Sequence, residues 1–182
     1  MAEAFSNKLT RAAGIVTTSS SGSIGVTTTI ITGISTVGVA VSDLVDNANF
    51  IAGTKVTGYG AAASQVVVDQ TSTNTSAVSG SAIVNFLGMT TAYTSAAATK
   101  SILIGGTFAN NTSSSVNLTV EIHDASAGIQ AAIASKIPVP TGSSFVISDA
   151  GKTVLEATDE VRVFCDTANA LDVNLSILTG VS

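Results

Sequence analysis

The segment Ser115-Val-Asn-Leu-Thr-Val-Glu-Ile-His123 decides the fold class of this 182-residue chain. Apolar and polar residues alternate along it, and this period of two predicts a β-strand with one face on a core and the other in water. The side chains expected in the core are Val116, Leu118, Val120 and Ile122. Those expected on the solvent face are Asn117, Thr119 and Glu121.

The segment Leu171-Asp-Val-Asn-Leu-Ser-Ile177 repeats this alternation near the end of the chain. Short strand-like runs lie between the two segments, and turn signals separate them about every 8–12 residues, which is typical of a β-sandwich. The strands predicted after residue 88 are 90–93, 100–108, 115–122, 131–137, 144–147, 152–155, 160–165 and 171–178. We therefore predict an all-β protein built on an antiparallel, jelly-roll-like β-sandwich.

One of these strands, 131–137, has a helical alternative, because residues 127–136 are rich in alanine. Alanine is the strongest helix former. However, Pro138 and Pro140 favour extended chain directly after the segment, so we favour the strand.

Residues 1–18 are predicted to form an N-terminal arm and the first strand of the sandwich. Phe5 and Leu9 lie at helical spacing, which favours a short helix that needs a docking partner, and residues 14–18 have a strand-like composition. The run Ser19-Ser-Ser-Gly-Ser23 is of low complexity and predicts a flexible junction.

Residues 19–88 are predicted to be an inserted small β module, and the sandwich domain then occupies residues 89–182. Strand-like runs in the module are short, with many turn-forming residues between them. The strands predicted here are 27–32, 37–41, 50–57, 65–69 and 82–87, and residues 70–81 are a polar loop.

The composition restricts the partners of the chain. Charged residues are only 10% of the sequence, whereas the surfaces of designed monomers carry about 25–35%. Such a sparsely charged surface favours packing among neighbours, so we expect a homo-oligomer. The net charge is −5 and the seven Lys and Arg residues are scattered, which argues against nucleic acid as a partner. No stretch has the length of a signal peptide core or a membrane span, so we expect folding in a cytoplasm and no membrane partner.

His123, the only histidine, is the first candidate for catalysis, because Asp124 and Ser126 follow it. The members of a catalytic triad meet in space rather than along adjacent positions, and no glycine precedes Ser126 at the spacing of a nucleophile elbow. We therefore interpret His123 as an exposed histidine in a turn and predict a protein that is not an enzyme.

Glu156, Asp159 and Glu160 form an acidic cluster across a predicted turn. Carboxylates in a loop can bind calcium, but the spacing of a calcium-binding loop is absent, so we favour a solvated acidic turn. Cys165 shares the alternation of Val161 and Val163, which predicts a buried thiol acting as a small hydrophobic residue. We expect no metal and no cofactor.

Several stretches resemble a family of small virion structural proteins of tailed phages, especially those of marine bacteria and cyanobacteria. The stretches are Met-Ala-Glu-Ala-Phe-Ser-Asn at residues 1–7 and residues 116–126, 137–144, 154–159 and 170–177. In the shorter members of that family the arm runs directly into the sandwich, which implies that residues 19–88 are inserted. Residues 31–38 and 50–56 resemble a small β module that recurs in phage structural proteins.

The resemblance implies a non-enzymatic component of a phage virion that is assembled in the host cytoplasm and located in the virion. The place that we favour is the capsid exterior, where the protein would decorate the shell as a cement protein. The alternatives are a neck or tail protein and a host-adhesion module that binds glycans. The expected partners are other virion proteins, such as the major capsid protein or a neck or tail protein. Phe5 and Leu9 are the residues expected to anchor the arm on such a partner.

Overall fold

The computed structural model describes residues 3–148 and 152–181. Within them the chain forms antiparallel β-strands and no helix, which confirms the all-β prediction. The strands in chain order are β1 (Ala4–Thr10), β2 (Ile15–Ile24), β3 (Ile30–Thr32), β4 (Leu44–Asp46), β5 (Val56–Tyr59), β6 (Gln65–Val68), β7 (Val78–Leu87), β8 (Thr90–Thr94), β9 (Lys100–Asn110), β10 (Val116–Asp124), β11 (Ile129–Val139), β12 (Ser144–Ile147), β13 (Thr153–Leu155), β14 (Glu160–Cys165) and β15 (Leu171–Val181).

The chain divides into two compact units. One combines the chain up to Gly14 with the chain from Met89 onward, and the other is Ile15–Gly88. In the sequence, the second unit is therefore inserted into the first, between Gly14 and Met89.

The first unit is a β-sandwich. One sheet has the order β1-β15-β9-β12, with β13 also paired to β9, and the other has the order β11-β10-β14-β8. The inner faces of the two sheets enclose one apolar core, in which Leu103, Phe108, Leu118, Leu175 and Ile177 are fully buried. Burial of these alternating side chains is the main stabilising contribution to the unit.

The register predicted for β10 is confirmed in the core. Val116, Leu118 and Val120 are buried, while Ile122, near the end of the strand, is only half-buried. Of the residues predicted on the solvent face, Asn117 is exposed, whereas Thr119 and Glu121 are half-buried. The segment with the helical alternative is strand β11, because its backbone pairs with β10.

The second unit is a six-stranded sheet with the order β4-β7-β2-β3-β6-β5. The chain just before β5 also pairs with β4, through an antiparallel bridge between Leu44 and Lys55 and a hydrogen bond from Val45 N to Thr54 O (2.8 Å). This pairing closes the sheet on itself into a small barrel. The barrel interior holds a separate apolar core that includes Ile24 and Phe86.

The N-terminal predictions were wrong in three respects. The segment with Phe5 and Leu9 is strand β1 and not a helix, since seven consecutive residues pair with β15. Residues 15–18 are not a strand of the sandwich, because they lie in β2, whose neighbours are β3 and β7. The predicted flexible junction, Ser19–Ser23, also lies within β2, and Ser19 is buried. Pairing with strands that are distant in the sequence overrides the weak local preference in each of these places.

Candidate assembly surface

Strand β1 is the outer strand of the five-stranded sheet. Lys8 in β1 stands opposite Leu175, which is fully buried in the sandwich core. Because side chains alternate between the two faces of a strand, Phe5 and Leu9 point to the outer face of the sheet. They are 78% and 75% exposed. Their own chain therefore leaves both side chains available, and their role as anchors stays a prediction.

Phe5 belongs to a row of apolar side chains that crosses the outer face of this sheet. Phe5 pairs with Leu178, Leu178 pairs with Ile102, and Ile102 pairs with Val154 on its other side. Directly paired residues on adjacent strands have their Cβ atoms about 4.5–5.5 Å apart, so the four side chains are contiguous. Leu178 and Ile102 are half-buried, and Val154 is 51% exposed. We call Phe5, Leu178, Ile102 and Val154 the apolar row.

The middle of the same face is polar but uncharged. Leu9 pairs with Asn174, Asn174 with Thr107, and Thr107 with Val146, so apolar side chains stand at both ends of this second line. A shallow depression between them is lined in part by Gly105 and Thr107. A Cβ at Gly105 would lie 2.9 Å from the carbonyl oxygen of Ile147, so a larger residue would separate β9 from β12.

The charged pairs on this outer face lie toward the two ends of the sheet. Lys100 Nζ is 2.9 Å from Glu156 Oε1 at one end, and Arg11 Nε is 4.0 Å from Asp172 Oδ2 at the other. All four groups are exposed enough for their pairing to contribute little to stability. The face thus combines an apolar row with a polar but uncharged middle, and protein–protein interfaces are likewise depleted of charged residues at their centres. The outer face is therefore suited to bind another protein surface.

The histidine prediction was wrong in its location. His123 lies within β10 and not in a turn, and its side chain is only 18% exposed. Arg162 Nη2 lies 3.0 Å from His123 Nδ1, and Arg162 Nε lies 2.6 Å from Glu160 Oε2. These three side chains form a polar cluster on the outer face of the four-stranded sheet. The imidazole is thus held by an ion pair.

Ser126, the serine considered with His123 as a catalytic candidate, has a different partner. Ser126 Oγ donates a hydrogen bond to Asp124 Oδ1 (2.8 Å). The Asp124 carboxylate also accepts the backbone N–H of Ala127, and this bond, followed by the one from Ser126, lowers the pKa of Asp124. Asp124 therefore organises the hairpin turn between β10 and β11, and Ser126 is bound to it rather than to His123.

The three acidic residues of the predicted turn point to different partners. Asp159 is 4% exposed, and its carboxylate accepts the backbone N–H groups of Ala125 and Glu156 at 3.1 and 2.9 Å. The prediction of a solvated acidic turn was therefore wrong for Asp159, which joins two loops inside the fold. Glu156 pairs with Lys100 and Glu160 pairs with Arg162. In the part of the chain that the structure describes, no group of three potential metal ligands is found.

Cys165 is fully buried in the sandwich core, as its alternation predicts. Burial raises the pKa of its thiol. The side chain therefore packs as a hydrophobic residue, and its neutral form dominates at neutral pH.

The apolar row was not found by the sequence analysis. A partial signal exists in the sequence. Ile102 and Leu178 alternate with core residues and are therefore expected to face solvent, yet both are apolar. This signal does not reveal that the side chains adjoin Phe5, since the pairing of β1, β15, β9 and β13 is set by the tertiary fold.

No family model matches this chain, and neither the curated proteins nor the solved structures include a match. In the described residues there is also no helix that is long and apolar enough to cross a membrane.

Proposed function

We propose that this protein is a non-enzymatic structural component of a tailed phage virion, and specifically a capsid decoration protein. The observation that carries the proposal is the apolar row on the outer face of the five-stranded sheet. Exposed apolar patches of this kind mark interaction sites in proteins that function in assemblies. The resemblance of the sequence to small phage virion proteins supplies the identity of the assembly.

Burial of Phe5 and Leu9 on a partner would contribute to the free energy of binding. Full burial of one large apolar side chain contributes about 1.5–3 kcal/mol, so Phe5 and Leu9 together contribute about 3–6 kcal/mol before ordering costs. Strand β1 is already ordered on β15, so little backbone entropy is lost when it docks. Contacts between neighbouring copies would then increase the occupancy by avidity.

The winding of the sandwich supports a jelly roll, a fold that recurs in viral capsid domains. With β12 and β13 counted as one interrupted strand, the sandwich has eight strand positions in chain order. One sheet then reads 1-8-3-6 and the other 5-4-7-2. Such an order results when two Greek keys are wound together, with each long connection crossing from one sheet to the other.

The proposal is tested by the location and the occupancy of the protein on purified particles. Particles should be assembled with the wild type, with the double variant Phe5→Ser, Leu9→Ser, and with the control Ile83→Ser. Ile83 is 61% exposed but belongs to the barrel unit, so the control removes an exposed apolar side chain elsewhere. We expect wild-type density over the whole head in cryo-electron microscopy and immunogold labelling.

The double variant should fold and lose occupancy by about tenfold or more, since every 1.4 kcal/mol is a factor of ten in affinity. The control should decorate like the wild type. Labelling confined to the neck and tail would favour a tail protein, and labelling of fibre tips would favour the adhesion module. Absence of the protein from particles would contradict the virion assignment, and full occupancy of the double variant would contradict the anchors.

A further inference from the structure

The exposed edges of β-sheets need protection, because their unpaired N–H and C=O groups attract further strands. Most of the sheet edges in this protein are protected. The edge strands β8, β12 and β13 have only five, four and three residues. Strand β1 carries Lys8, which shares the face of the buried Leu175, and an inward-pointing charge is a recognised guard of an edge strand. The barrel is closed by the pairing of β4 with the chain before β5.

Strand β11 is the exception. It is the outer strand of the four-stranded sheet and has eleven residues. Its first seven, Ile-Gln-Ala-Ala-Ile-Ala-Ser, contain no charge and no proline. Ile129 is 60% exposed and Ile133 is 39% exposed, and the three residues between them are exposed as well.

The features that protect the edge of β11 begin at Ile133, the fifth of its eleven residues. Lys136 has a positive φ of 52° and interrupts the ladder, and Pro138 removes a backbone donor. The register with β10 also shifts at Ile133. Residues 129–132 pair with β10 without interruption. This part of the strand is no longer than β12, but it presents a regular edge that begins with the exposed Ile129 and contains no charge and no proline.

We propose that the β11 edges of two copies of this chain pair in an antiparallel manner about a two-fold axis. The pairing would join two four-stranded sheets into one sheet of eight strands. It uses backbone hydrogen bonds between segments that are identical and uncharged, so no like charges meet at its centre.

Charge complementarity selects a second copy in the antiparallel orientation. A pairing centred on Ala131 or Ala132 places Lys136 of each copy beside the hairpin turn of the other, and that turn is organised by the carboxylate of Asp124. A parallel pairing would instead place the two Lys136 side chains together. The two-fold arrangement therefore brings opposite charges together at both ends of the joint.

The joint is small, since the regular edge spans only residues 129–132. We therefore expect a weak dimer in dilute solution, at the lower end of specific interfaces. In an assembly that holds many copies, the high local concentration would increase its occupancy.

The experiment uses full-length protein and sedimentation velocity over a dilution series. The variants are Ala131→Lys and Ala131→Glu, which place like charges near the two-fold axis, and the matched control is Ala97→Lys. Ala97 is also exposed, but it lies in the turn between β8 and β9, and β8 is the outer strand on the opposite side of the sheet from β11. Circular dichroism verifies that each variant is folded.

We expect a concentration-dependent wild-type dimer and a similar dimer for the control. Each Ala131 variant alone should dimerise about tenfold more weakly or worse, and an equimolar mixture of the two should restore the dimer as a heterodimer. A wild type that stays monomeric at the highest concentration would overturn the proposal. So would a dimer that the single variants leave intact, or a mixture that shows no restoration. A dimer that is lost with Phe5→Ser instead would assign self-association to the apolar row.

Discussion

Replacement of Leu118 by alanine tests the sandwich core most directly. Leu118 is fully buried in the middle of β10, where it pairs with Ile137 on one side and with Cys165 on the other. Leucine-to-alanine changes in cores cost about 2–5 kcal/mol, and the cost increases with the cavity that remains. Because strands flank Leu118 on both sides, the site cannot collapse easily, and we expect about 3–5 kcal/mol.

The size of the effect makes it measurable by thermal and chemical unfolding. For a unit of about 100 residues, 1 kcal/mol corresponds to a shift of at least about 4 °C, so the sandwich should melt about 12–20 °C lower. Hydrogen exchange should increase in β9, β10, β14 and β15, while the barrel strands keep their protection.

The matched control is Val146→Ala. Val146 lies in β12 of the same sandwich but is 52% exposed, so its truncation should cost less than about 1 kcal/mol. If Leu118→Ala costs less than about 1 kcal/mol, or if both substitutions cost the same, the assignment of Leu118 to a tightly packed core is wrong.

Two further predictions concern titratable groups. Cys165 should react with a thiol reagent on the order of a thousandfold more slowly in native protein than in denaturant, because only opened molecules expose it; labelling at equal rates would contradict its burial. Burial raises the pKa of Asp43 above its usual 3.8, partly offset by the N–H of Ala40. A raised folded-state pKa means that this group's stabilising contribution is present at low pH and is lost as the pH rises through the folded-state pKa. Asp43→Asn should therefore gain stability relative to the wild type between pH 3 and neutrality, as urea midpoints would measure. A difference that is constant with pH, or that shrinks as the pH rises, would contradict this.

Local patterns determined most of the strands of the sandwich. The boundaries of β12 and β14 coincide with the predicted 144–147 and 160–165, because each is a short run of β-branched and aromatic residues with turn residues at both ends. Alternation identified Val116, Leu118, Val120 and Cys165 as core residues. Burial of one face of a strand imposes a period of two, and this period is visible without any knowledge of the partner strand.

Local patterns failed where long-range pairing gives the chain its structure. Ser19–Ser23 has the composition of a flexible linker, yet it is part of β2, where Ser19 pairs with Val84 of β7. Residues 37–41 and the start of 50–57 have the composition of strands, yet they lie in connections between strands of the barrel. In a small closed barrel, the position along the ladder decides which residues pair, and composition carries little of that information.

The sequence by itself therefore determined the fold class, the parity of the core strands and the buried thiol. Only the tertiary structure decided which strands are neighbours. Phe5 meets Leu178 because β1 pairs with β15, and Val154 meets Ile102 because β13 pairs with β9. The two pairs join into one row because β15 and β9 lie side by side, although they are far apart in the chain. The open edge of β11 likewise depends on the tertiary fold, because in the described ranges 3–148 and 152–181 no other strand of the sandwich pairs with its outer side. The period of two specifies the face of a side chain, but the free energy of the whole fold selects the adjacent strand, and both candidate surfaces depend on that selection.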